Sequence, residues 1–200
     1  QVGNSAKGAT VFVTLEPCSH TGKTPPCADA LIKAGVKKVI VAMTDPNPLV
    51  AGSGLKKLND AGIETESGLL ETQARELNPG FIKRMESGRP FVRVKMAMSL
   101  DGRIAMASGE SQWISGDASR NDVQRLRAES SAILTGIETV LADDPSMNVR
   151  LTAEQLGIET DSPQVRQPKR VVLDSQFRMP LQAKIFSVDG QCIVYTTVNV

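Results

Sequence analysis

Two cysteines and the only histidine of the chain lie in one short stretch, TLEPCSHTGKTPPCADAL, from Thr14 to Leu31. Cys18 and Cys27 are spaced Cys-x8-Cys, and His20 follows the first of them. Thiolates are soft ligands that zinc prefers, and two cysteines with one histidine and a water form a familiar catalytic zinc set. Composition alone therefore nominates His20 as a third ligand. Cys18 comes off an apolar, β-branched run through Leu-Glu-Pro, which puts it at the C-terminal edge of a strand, where sites of α/β proteins collect. Cys27 opens a helical pattern, and free N–H groups at a helix start favour a thiolate. The competing reading is two small buried side chains, because Cys-x8-Cys is a weaker signal than paired Cys-x-x-Cys motifs.

The rest of the chain must position these groups. Two hundred residues hold one large or two small domains. With 40% hydrophobic and 22% charged residues, a buried core and a polar surface are both available. The 23 basic and 22 acidic residues leave a net charge of +1, which argues against a broad nucleic-acid binder. A local basic pocket for one phosphate remains compatible with that balance. No apolar run approaches the roughly 20 residues that span a bilayer, and the opening QVGNSAKGAT lacks the apolar centre of a signal peptide. Three cysteines are no disulfide framework, so a reducing cytoplasm is the expected compartment, with no membrane partner.

Strand and helix signals alternate in the first part. The pattern predicts a buried strand at Ala9–Leu15, and a helix over PPCADALIKAG stopped by Gly35, with Cys27, Ala30, Leu31 and Ala34 on one face. A second strand is expected at Lys37–Met43, then a loop over DPNPLVAGSG, a short helix over GLKKLNDAG and a short strand IETES. This order predicts a parallel sheet flanked by helices. A helical stretch broken at Asn78-Pro79-Gly80 leads to Ser87-Gly88-Arg89-Pro90, read as the boundary between units 1–88 and 89–200.

The second unit is expected to open with a strand, PFVRVKMAMS, followed by a helix over GDASRNDVQRLRAES with Asp117 as N-cap. SAILTG, KRVVLDS and CIVYTT read as further buried strands, and Thr152–Pro168 as a surface excursion. Both ends of the sequence read as cut from a longer protein. Lys95 lies in the apolar strand, where a lysine needs a partner or an opening. Asp101, in the turn SLDG, suits a turn cap, and Asp45 and Asn47 in DPNP are explained equally well by turns. Taken alone, Arg127 fits the solvated end of a charged helix, and Trp113 fits either a core or a site.

The segment TLEPCSHTGKTPPC resembles the zinc-binding segment of the riboflavin-pathway pyrimidine deaminases, a branch of the cytidine-deaminase-like superfamily. VKMAMSLDGRIA, GESQWI, LADDP and LDSQFR resemble the reductase half of the same bifunctional family. The resemblance implies a cytidine-deaminase-like α/β/α domain followed by a dihydrofolate-reductase-like α/β domain. It implies zinc-dependent deamination of a phosphoribosylaminopyrimidine and NADPH-dependent reduction of its ribose. In that family the third zinc ligand is a histidine in an upstream His-Ala-Glu motif whose glutamate carries protons. No such motif occurs in this sequence, so the resemblance turns His20 from ligand into substrate contact.

Residue by residue, the resemblance implies Cys18 and Cys27 as zinc ligands, and His20, Lys23, Asp45 and Asn47 as substrate contacts in the first unit. For the second unit it implies NADPH contacts at Ala97, Trp113, Thr139, Asp143 and Ser175. Ser111, Arg127, Met147 and Arg150 fall on the substrate side, with Lys95 and Asp101 as further candidates. Two arginines suit a phosphate, whose oxygens match the guanidinium fork. A Gly-x-Gly-x-x-Gly dinucleotide fingerprint is absent. A nucleic-acid deaminase and a non-catalytic zinc scaffold are the competing readings, and a homo-oligomer is left open.

Overall fold

The computed structural model describes residues 6–22, 24–159 and 164–199. The chain divides into two compact units, Gln1–Val94 and Lys95–Val200.

The first unit is a three-stranded parallel sheet of β1 (Thr10–Val13), β2 (Lys38–Val41) and β3 (Glu64–Ser67), ordered in space as in sequence. Helices α1 (Cys27–Ala34) and α2 (Ser53–Asp60) make the crossovers. The register sets Val11 beside Val39 and Val13 beside Val41. These side chains meet Ala28, Leu31 and Ile32 of α1 and Leu58 of α2 in one core. The inward face of α1 is thus shifted from the expected one, and Cys27 is exposed rather than packed. Pro26 starts α1 and Gly35 ends it at φ 67°, a conformation glycine adopts at no steric cost. β1 is half-covered rather than buried: it is an edge strand, and Phe12 on its outer face is exposed. Asn78 separates α3 (Glu71–Leu77) from α4 (Pro79–Ser87), with Pro79 at the helix start where its missing N–H costs nothing.

The expected strand PFVRVKMAMS is not one. Residues 90–99 are irregular, and Val92, Val94, Met96 and Met98 are exposed. The alternation suits a strand, but a ladder needs a neighbour to take its N–H and C=O groups. No strand pairs with this segment among the described residues. Lys95 is correspondingly exposed and in no apolar environment.

The second unit carries another parallel sheet in sequence order, β4 (Ala132–Gly136), β5 (Lys169–Leu173) and β6 (Cys192–Tyr195). Helix α5 (Asp117–Glu129) precedes it, and α6 (Ile137–Asp143) follows β4 directly, an element the sequence reading missed. The N-cap of α5 is Gly116, not Asp117, whose carboxylate instead pairs with Arg120 one turn on. Ile137, Val140, Met147, Val172, Ala183 and Ile185 form the core. The excursion Thr152–Pro168 is not wholly superficial, since Ala153, Leu156 and Pro168 are buried. No helix among the described residues is long and apolar enough to cross a membrane.

Candidate functional site

The end of β1 and the start of α1 bring the two cysteines together. The Cys27 backbone N–H donates to Cys18 Sγ at 3.3 Å, and both thiols are free. Hydrogen bonding to the Cys18 thiol, then burial and repulsion from Cys18, raise Cys27 above its ordinary range. Two soft donors, Cys18 half-buried and Cys27 exposed, fit a zinc ion. Among the described residues no third histidine, cysteine or carboxylate joins them, so His20, exposed in the intervening loop, is not gathered into the pair.

Metal binding requires both thiols to lose their protons. A raised folded pKa keeps Cys27 protonated to higher pH. Zinc affinity should therefore climb with pH and go on climbing past the usual thiol pKa of about 8.5. The same shift stabilises the metal-free fold below the unfolded thiol pKa, an increment lost as pH rises through the folded one. Zinc titration against a chromophoric chelator over a pH series checks this, and affinity that levels off before pH 8 or so would contradict it.

A buried carboxylate, which sequence reasoning missed, lies two residues before Cys18. Glu16 is 4% exposed and accepts backbone N–H groups from Asp45, Gly52, Gly54 and Leu55. The signal was a carboxylate between an apolar strand and a proline, since a buried charge must find donors. Asp45 Oδ1 takes the N–H of Asn47 at 2.9 Å, and Asn47 Oδ1 takes that of Leu49 at 3.1 Å. Both residues therefore build successive turns beside the strand end while staying half-buried. Lys23 lies outside the described residues.

In the second unit Arg127 and Arg150 come close together. Arg127 Nη1 donates to the Asn148 carbonyl at 2.9 Å, and the Arg150 N–H donates to Gln124 Oε1 at 3.0 Å. Gln124 is buried in α5, one turn before Arg127, so it fixes the backbone of one arginine beside the other. Burial, then the like charge of Arg150, lowers the Arg127 pKa. An anion between the two arginines would offset both by favouring the charged guanidinium. Met147 sits in the same loop with φ 54°, but its side chain packs in the core.

Thr139 lies in α6 just after β4, and Ser175 lies just after β5. Because Gly136 and Leu173 are register partners, both follow the C-terminal ends of neighbouring parallel strands. Asp143 is exposed at the far end of α6. Trp113 is 71% exposed, and the Arg120 guanidinium stacks 4.6 Å from its ring centre. In this structure the ring lies outside both cores. Ala97 and Ser111 are half-buried. Asp101 accepts a hydrogen bond from Ser99 and pairs with Arg103 at 3.6 Å, in an open groove also lined by Met106 and Ile114.

Residues 1–43 match the cytidine and deoxycytidylate deaminase zinc-binding region, and residues 90–200 match the RibD C-terminal domain. Riboflavin biosynthesis protein RibD of Haemophilus influenzae is 60% identical over 188 residues, 93% of this chain and 50% of that protein. Its Escherichia coli namesake is 54% identical over 191 residues, 94% and 52% of the two chains. The structure of Acinetobacter baumannii RibD superposes with a TM-score of 0.90 at 55% identity, covering 100% of this chain and 55% of that one. A deaminase/reductase structure from Thermotoga maritima gives 0.84 at 40% identity, covering 96% and 52%. The chain thus spans about half the length of the curated relatives it matches. A cytidine-deaminase-like unit followed by a dihydrofolate-reductase-like unit is the fold class. With its second unit matched throughout and its cysteine segment where a zinc-binding region is expected, the chain belongs to the RibD family of riboflavin biosynthesis proteins.

Proposed function

We propose that this chain carries residues of both sites of a bifunctional riboflavin biosynthesis enzyme. One site hydrolytically deaminates 2,5-diamino-6-(5-phosphoribosylamino)pyrimidin-4-one. The other reduces the ribosyl group of the deaminated product to ribityl with NADPH. The observation that carries the reading is the meeting of Cys18 and Cys27 at a strand end and a helix start, within a zinc-binding family segment.

Cys18 and Cys27 would hold zinc, which would supply the Lewis acidity that activates water for hydrolysis. A histidine ligand and a proton-carrying glutamate would come from a His-Ala-Glu segment absent from this sequence. His20, Lys23, Asp45 and Asn47 would orient the pyrimidine, the last two through a loop whose backbone is already pinned. In the second unit Arg127 and Arg150 would neutralise the substrate phosphate, with Ser111, Lys95 and Asp101 toward the sugar. Met147 would contribute backbone rather than side chain. Trp113, Thr139, Asp143, Ser175 and Ala97 would hold NADPH, which supplies the hydride. The partner is a small phosphorylated molecule, not a nucleic acid, and the compartment is the cytoplasm.

The test is to give the complete polypeptide the diaminopyrimidine, with and without NADPH. Zinc-dependent ammonia release without NADPH, then NADPH oxidation on the deaminated product, is expected. Zinc uptake with neither reaction would instead favour the scaffold reading, for which the missing third ligand among the described residues speaks.

A further inference from the structure

Glu16 is positioned to do more than fill a hole in the core. Its carboxylate joins the strand end that carries Cys18 to the loop that carries Asp45 and Asn47. Oε2 receives the N–H of Asp45 at 3.1 Å and of Gly52 at 2.9 Å, while Oε1 receives Gly54 at 2.8 Å and Leu55 at 3.2 Å. Two further contacts close the same seam. Ser19 Oγ and Ser53 Oγ are hydrogen-bonded at 2.7 Å. A methyl group on Gly54 would stand 1.9 Å from the Pro17 carbonyl oxygen, so only glycine permits this approach. Gly52, at φ 77°, turns the loop so that its N–H can point at the carboxylate.

From these contacts we infer that Glu16 is a positioning residue for substrate binding, setting where the Asp45–Asn47 turn stands relative to Cys18. The inference rests on the proposed deaminase reading and deepens it. Four donors converge on one side chain: Asp45 and Gly52 from the connection between β2 and α2, and Gly54 and Leu55 from the first turn of α2, whose N–H groups have no partner within the helix. The turn bonds of Asp45 and Asn47 shape that loop locally but do not attach it to the metal-side strand. Glu16 supplies that attachment. An amide in its place offers one acceptor oxygen, and its NH2 group would face N–H donors that it cannot serve.

Glu16→Gln in the complete polypeptide should raise KM for the diaminopyrimidine about tenfold or more, the scale of losing a charge-assisted hydrogen bond. The turnover number should change far less, and zinc stoichiometry and NADPH-dependent reduction should stay at the wild-type level. Hydrogen exchange at Gly52, Gly54 and Leu55 should accelerate. Ser53→Ala is the milder variant, to be used if Glu16→Gln does not fold, and it should raise KM severalfold with turnover unchanged. A purely structural role would leave KM untouched in both variants, while activity and bound zinc fell together with the folded fraction. That outcome overturns the proposal and leaves the deaminase reading standing. A zinc-loaded wild type that releases no ammonia removes both.

Discussion

Cys18→Ser and Cys27→Ser should each retain less than about one-hundredth of the proposed deaminase rate, while NADPH-dependent reduction should keep most of its own. Groups that merely orient a metal ligand cost roughly 10–100-fold when lost, so removal of a ligand itself should exceed that range. Serine is nearly isosteric with cysteine, but its hydroxyl stays protonated near neutral pH and is a hard donor. Either change leaves one thiolate where two are needed. The reductase candidates all lie in the unit Lys95–Val200, whereas both cysteines lie in Gln1–Val94. Cys192→Ser provides the control: that thiol is half-buried in β6, packed against the second core and raised above its ordinary pKa by burial. Its replacement should leave ammonia release unchanged. Metal analysis, ammonia release and NADPH oxidation measured on one preparation decide the matter. Equal loss of both activities in a folded Cys18→Ser protein would contradict separate sites.

Arg150→Ala should lower reductase kcat/KM by about tenfold to a hundredfold, the kinetic equivalent of roughly 1.5–3 kcal/mol for a charge-assisted contact. Arg150→Lys should recover only part of it, because an ammonium cannot reproduce the guanidinium fork. NADPH affinity should barely move, since the residues assigned to the cofactor are others. Arg127→Ala is the less clean probe: its guanidinium also holds the Asn148 carbonyl, so the loop would loosen as the charge is lost. Relief of the repulsion between the two arginines would partly offset that loss. Reductase kinetics unchanged in Arg150→Ala would return that side chain to the solvated surface.

Local punctuation was readable wherever one element's own residues decide it. Gly35 and the prolines before Cys27 bound α1, and Pro79 splits α3 from α4, because backbone restrictions act within a few residues. The valines of β1 and β2 announced a parallel core in the same way. What depended on a distant partner was not readable. Residues 91–98 have the alternation of a strand, yet alternation does not provide a neighbour. Glu16 was passed over because its donors lie in residues 45–55, and no local pattern links the two. Resemblance alone sets Arg127 and Arg150 on one substrate side. Gln124 and Asn148, which hold the two arginines in place, carried no sequence signal. Met147 shows the converse: motif resemblance put it at the substrate, and packing put its side chain in the core.

Both sheets run in sequence order, β1-β2-β3 and β4-β5-β6, with every neighbouring pair parallel. Each strand therefore finds its partner one crossover back along the chain, never across an intervening strand. A nascent polypeptide can add strands one at a time as they leave the ribosome, closing a single loop at each step. The connection between β4 and β5 is the longest of the four and contains both the Arg150 loop and the excursion after it. Closing that connection costs the most chain entropy of the four, although each doubling of loop length adds only about 0.6 kcal/mol. Both arginines follow Cys18 and Cys27 along the chain, so a newly made chain would own its paired thiols before it owned its paired arginines.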